Sequence, residues 1–338
     1  MYNTLKTLCL TPSVSGREDM VREKIKELIA PYTDENYTDN LGNLVAVKYG
    51  NGENKKKIML CAHMDEIGFL VTYIEDSGFL RVSTVGGINL FDASSSLVVS
   101  ERGVKGALVA EASVKASELS ADKFVIDIGA KSKKDAERKV NIGDFFVVCP
   151  SLSRLSQSRV CGRPLDDRIG CAVMIEIAKA YEKNPPKHDL YFTFSSQEEV
   201  GCRGAKTAAF GIAPEYALIY DVTATGDAAG SKPMACSLGK GAAIKIKDSS
   251  VICHAEVIEK LKEIAKDRKI PYQLEILTFG GTDTSSVQMT GLGCRAGALS
   301  IPTRYIHSQS EMCDMGDVKC CIDLGAEFIK HGISEVND

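Results

Sequence analysis

The chain has no tryptophan among its 338 residues, no CxxC pair among its twelve cysteines and no apolar run approaching the length of a membrane span. Without CxxC pairs, neither a zinc knuckle nor a thioredoxin-type site is expected. A transmembrane helix needs roughly 20 consecutive apolar residues, so no membrane association is expected either. The N-terminal stretch Met1-Tyr2-Asn3-Thr4-Leu5-Lys6 lacks a charged region followed by a long apolar one. The expectation is therefore a cytoplasmic protein whose scattered cysteines are buried, reduced thiols. Excess charge is also missing: 41 Lys and Arg against 45 Asp and Glu give a formal net charge of −4, which offers nucleic acid no basic footprint. Lys55-Lys56-Lys57 and Lys131-Ser132-Lys133-Lys134 are short and read as solvated turns. No internal repeat or low-complexity tract is present.

What remains is an ordinary globular composition, 44% hydrophobic and 25% charged, long enough for two domains. Apolar strand-like runs at 44–48, 58–62, 190–194, 217–220 and 297–301 alternate with amphipathic helical patterns. One helix follows Ser15-Gly16-Arg17-Glu18, which has the form of a capping box. Others are expected at 167–182 and 255–268, and Asp317 is placed to cap a C-terminal helix. This alternation predicts an α/β fold around a largely parallel sheet covered on both faces. Between residues 68 and 160 the texture changes to short β-like runs separated by Gly, Ser, Asp and Asn. The expected organisation is a domain of residues 1–67 and 161–338 carrying an inserted all-β domain, 68–160.

Polar residues collect at the ends of the apolar runs. Tyr191-Phe192-Thr193-Phe194 leads to Glu198-Glu199, and burying two adjacent carboxylates is costly unless cations or protons compensate them. Ile58–Ala62 leads to His63-Met64-Asp65, whose i, i+2 spacing on an extended segment directs His63 and Asp65 to one side. Asp166-Asp167 precede a helix, where either carboxylate can serve as a cap or be left free for cations. Asp221 ends another strand and His307 follows a third, the places where open α/β sheets bind ligands. Taken singly, each has a bland structural reading. Together, His63, Asp166, Glu199, Asp221 and His307 offer five N/O ligands that suit two zinc-like ions about 3.5–4 Å apart, with Glu198 left over as a base.

This ordered set, with Leu165-Asp166-Asp167-Arg168, Gln197-Glu198-Glu199-Val200-Gly201, Asp221-Val222-Thr223 and Tyr305-Ile306-His307-Ser308, resembles that of the dinuclear metallo-aminopeptidases of the glutamyl-aminopeptidase, or tetrahedral aminopeptidase, family. Some relatives carry the label "cellulase M". Thr11-Pro12-Ser13-Val14-Ser15-Gly16, Asp39-Asn40-Leu41-Gly42-Asn43, Val85-Gly86-Gly87 and Phe124–Ala130 extend the resemblance along most of the chain.

The resemblance implies metal ligands His63, Asp166, Glu199, Asp221 and His307, with Asp166 bridging two divalent ions, zinc or cobalt. It implies Glu198 as general base, Asp65 as support for His63, and Thr282 and Asp283 as substrate or subunit-contact residues. It further implies a phosphorylase/hydrolase-like mixed sheet, an inserted dimerisation domain, assembly up to a tetrahedral dodecamer, and short peptides as substrates. The Pro-Pro-His element that relatives carry in the insert is missing between Gly106 and Leu119, a departure in the assembly domain rather than the metal set. Two other classes compete. One is a glycan hydrolase using Glu198 and Glu199, although adjacent residues seldom span the ~5–9.5 Å such chemistry needs. The other is a non-catalytic assembly protein.

Overall fold

The computed structural model describes residues 1–112 and 114–332. Its frame is an eleven-stranded mixed sheet. At the centre, Asp189–Ser195, Lys57–His63, Tyr216–Thr223 and Arg295–Arg304 run parallel. Antiparallel strands extend both flanks: Leu44–Lys48 beside Asp189–Ser195, and Glu311–Asp314 beside Arg295–Arg304. Every residue of Tyr216–Thr223 is buried, as expected of a strand covered on both faces. Helices Arg168–Lys179 and Met315–His331 pack on each other and on the central strands, while Arg203–Ile212 and Thr284–Gln288 form a second helical layer on those strands.

The irregular middle of the chain closes into a six-stranded antiparallel barrel of Gly68–Ile74, Leu80–Val85, Phe124–Asp127, Lys105–Ala110, Ser96–Ser100 and Phe145–Val148. It has its own core, built around Phe69, Leu80, Leu108, Phe124 and Phe146. Closure gives each of these short strands a neighbour on both sides among the described residues. The chain then returns to the large sheet through Ser151–Arg154 and Arg159–Arg163.

Two expected caps are used differently. Helix Asp19–Ile29 starts without a side-chain cap. Ser15 instead donates to Asp65 Oδ2 at 2.6 Å, and the Glu18 carboxylate accepts from the Gly16 and Gln197 N–H groups. The C-terminal helix is capped by Asp314, which accepts from Gly316 N–H, while Asp317 binds the N–H groups of Gly239 and Gly241. In both places tertiary demand outweighs the local motif. All twelve cysteines are free, eight of them buried.

Phe192 is fully buried in the central strand Asp189–Ser195. Phe192→Ala should lower the unfolding free energy by about 3–5 kcal/mol, read as a reduced denaturant midpoint. A loss below about 1 kcal/mol would show that this strand is not the packed centre of the sheet.

Candidate metal centre

The parallel strands build the site by ending together. In the ladder, His63 lies opposite Ser195, Ile219 opposite Cys61 and Asp221 opposite Ser300. His63 therefore ends one strand, Glu198 and Glu199 follow a second, Asp221 sits near the end of a third and His307 follows a fourth. Gln197 and His307 adopt left-handed backbone, φ 55° and 65°, where the chain turns over the strand ends. Such conformations are strained for residues other than glycine and gather at functional sites.

Asp166 approaches from the strand Arg159–Arg163. The neighbouring Asp167 takes the capping role, its Oδ1 accepting from Gly170 N–H at 3.0 Å, which frees Asp166. One oxygen of Asp166 lies 2.9 Å from His63 Nε2 and the other 3.1 Å from His307 Nε2. Glu199 Oε2 is 3.3 Å from His307 Nε2, and Asp221 Oδ1 is 4.0 Å from His63 Nε2. The set thus falls into two halves, His63 with Asp221 and His307 with Glu199, with Asp166 facing both.

Donor atoms of His63, Asp166 and Glu199 lie within 4.8 Å of one another, as do those of His63, Asp167 and Asp221. These are groups able to hold a metal ion, and N/O donors of this kind suit a divalent transition metal. The buried Asp167 Oδ2 has no hydrogen-bond partner among the described residues.

Supporting residues fix these donors. His63 Nδ1 faces the Asp65 carbonyl at 3.1 Å and the Asp65 carboxylate at 3.6 Å, which leaves Nε2 for the site. The Asp65 carboxylate also accepts from the backbone N–H groups of Glu198 and Glu199, at 3.0 and 3.2 Å. It therefore orients the glutamate pair as well as the histidine. His307 Nδ1 is 2.7 Å from the Gly87 carbonyl, beyond the barrel strand Leu80–Val85. At Gly86, φ +77°, a Cβ would come within 2.6 Å of Ile67, so glycine is required there.

Sequence reading missed Glu311. This buried carboxylate accepts from the N–H groups of Leu165 and Asp166 through one oxygen and from His307 N–H through the other. It ties the Asp166 turn to the His307 turn. Only its burial after a short irregular loop marks it out, and burial is invisible in the one-dimensional pattern. The Cys202 thiol donates to Glu198 Oε1 at 3.3 Å.

Thr282 and Asp283 are buried beside the cluster. Thr282 is 3% exposed and bonded to Asp248 and Thr284, while Asp283 is 1% exposed and accepts from Ser195 Oγ at 2.5 Å.

The electrostatics of the cluster call for cations. Burial raises the Glu198 carboxyl well above its ordinary range, and Asp221, Asp283 and Glu199 add to the effect. Burial and Asp166 do the same to Asp221. Burial disfavours a charged His307, yet hydrogen bonds with Asp166 and Glu199 outweigh it and push its pKa up to about 11. Burial also opposes ionisation of Asp166, but hydrogen bonds with His307 and His63 hold its carboxyl well below the usual range. Beside the cluster opens a cavity of about 580 Å³, reaching Asp166, Asp221 and His307. A wider groove of about 910 Å³ near Phe210 and Leu292 includes none of the cluster's residues.

The family profile described as M42 glutamyl aminopeptidase matches residues 42–324. A relative from Acetivibrio thermocellus, assigned by name to the aminopeptidases, is 47% identical over 97% of this chain and 98% of its own length. The solved structure of aminopeptidase APDkam598 from the archaeon Desulfurococcus kamchatkensis superposes with a TM-score of 0.92 at 36% identity, covering 97% of this chain and 94% of that one. The TET1 peptidase of Pyrococcus horikoshii, described as assembling into a tetrahedron or a large octahedral shell, has a TM-score of 0.88 at 34% identity and covers 98% and 99% of the two chains.

With its pKa raised from 6.5 to about 11, a cation taken up at the His307 imidazole would displace a proton at neutral pH. This group stabilises the fold below about pH 6.5, and the stabilisation is lost as pH rises through about 11. Titrating metal into chelator-treated protein in buffers of different ionisation enthalpy should show roughly one or more protons released per chain, with affinity rising between about pH 6 and 8. Binding without proton release would contradict this arrangement.

Proposed function

The chain belongs to the M42 glutamyl aminopeptidase family and is a peptide hydrolase, and from that premise we propose a metal-dependent aminopeptidase that removes N-terminal residues from short peptides. The observation that carries this reading is the Asp166 carboxylate set between two imidazoles, one oxygen toward each. His63, Asp166 and Asp221 would hold one divalent ion, and Asp166, Glu199 and His307 a second, with zinc or cobalt suited to these donors. Such ions, when bound, acidify a water and polarise the carbonyl of the scissile peptide.

Glu198 takes the proton from the attacking water and delivers it to the leaving amine. Asp65 fixes the backbone on which Glu198 stands, so base and ligand keep their spacing. Glu199 is turned to His307 and is thereby separated from the base role. Glycan hydrolysis would leave both histidines without a task.

No helix among the described residues is long and apolar enough to cross a membrane. We place the protein in the cytoplasm, with the insert 68–160 forming dimers that close into a dodecamer. The assemblies described for the Pyrococcus horikoshii relative support this, as do the exposed Phe91, Leu97 and Ile142 on the insert.

Glu198→Gln should retain its metal complement while turnover of an aminoacyl anilide falls by about 10²–10⁴-fold. His307→Ala should instead lose part of its metal, measured by atomic emission after gel filtration. Substantial turnover in the first variant, or an unchanged metal content in the second, would contradict the assigned roles.

A further inference from the structure

We propose that the cavity beside the metal centre selects a neutral, apolar N-terminal side chain, and that Asp227 enforces this choice by masking Arg304. The inference rests on the aminopeptidase reading and specifies its substrate. Among the described residues, four lining groups carry charge: Asp166, Asp221, His307 and Arg304. The first three belong to the donor cluster.

Arg304 would be the natural partner for an acidic side chain, but it is already engaged. Its Nε and Nη2 both donate to the Asp227 carboxylate, at 3.2 and 2.7 Å. A bidentate pair of this kind satisfies the planar fork of the guanidinium. Asp227 is also committed, since it accepts from Leu238 N–H at 3.2 Å. Outside the donor cluster, a lysine side chain would compete with Arg304 for Asp227, and a glutamate would compete with Asp227 for Arg304. Either charge would otherwise enter the cavity unpaired, which is unfavourable away from bulk water.

The rest of the wall mixes hydroxyl-bearing side chains with a set of apolar ones. Val222, Ala224, Leu277, Phe279 and Ile306 line the cavity, and Phe279 is 58% exposed. A leucine or phenylalanine side chain seated there would cover that ring and remove apolar surface from water on both partners. The family's description as glutamyl aminopeptidases thus does not carry over to the pocket of this chain.

The test is a panel of leucyl, phenylalanyl, glutamyl and lysyl p-nitroanilides on full-length, metal-reconstituted enzyme, compared by kcat/KM. The leucyl or phenylalanyl substrate should exceed both charged ones by about tenfold or more, the discrimination expected when a pocket offers a charge no partner. Asp227→Asn should raise the glutamyl-to-leucyl ratio by about tenfold, and the double variant Asp227→Asn with Arg304→Met should lose that gain. A wild-type preference for the glutamyl or lysyl substrate overturns the proposal. An unchanged ratio in Asp227→Asn overturns the masking role. Hydrolysis of none of the four would overturn the aminopeptidase reading itself, an outcome distinct from a charged preference.

Discussion

The constraint on which the rest of this structure depends is an excess of buried negative charge. Asp166, Asp167, Glu199 and Asp221 gather around two imidazoles, with Glu198 and Asp283 grouped beside Cys202. No lysine or arginine among the described residues forms an ion pair with Asp166, Glu198, Glu199 or Asp221. Carboxylates removed from water must be paired, protonated or bound to metal. The raised pKa values of Glu198, Asp221 and Asp167 express that demand, and divalent cations are what this donor set is suited to accept.

Holding such a cluster requires rigid surroundings, and the fold supplies them at several levels. The parallel ladder fixes which strand ends meet. Asp65 then holds the Glu198-Glu199 backbone while facing His63, and Glu311 joins the turns that carry Asp166 and His307. The Gly87 carbonyl orients the His307 ring from a segment that leads out of the barrel. The inserted segment is thereby tied to the His307 turn, where Gln309 also donates to the Asp92 carbonyl and Ser96 Oγ. Orientation by second partners of this kind sets ligand basicity as well as position.

Much of this was legible in the sequence because the donors follow apolar strands, and the parallel register brings strand ends together. The choice between Asp166 and Asp167 was not legible, since either carboxylate can cap the helix that follows. Only the hydrogen bond from Gly170 to Asp167 separates the two roles. Ser15 had the sequence context of a cap, yet it serves Asp65, fifty residues away in the chain. Glu311 carried no signal, because its importance lies in three backbone N–H groups contributed by two distant turns. Thr282 and Asp283 lie near the site in sequence pattern but beneath its surface in space.

We propose that Asp166 would be shared between two cations while Glu198 stays free to move a proton. Anomalous diffraction from zinc- or cobalt-loaded crystals tests it most directly. Two peaks about 3.5–4 Å apart are expected, with one Asp166 oxygen on each and Glu199, not Glu198, as a ligand. A single peak, or Glu198 coordinated in place of Glu199, would contradict it.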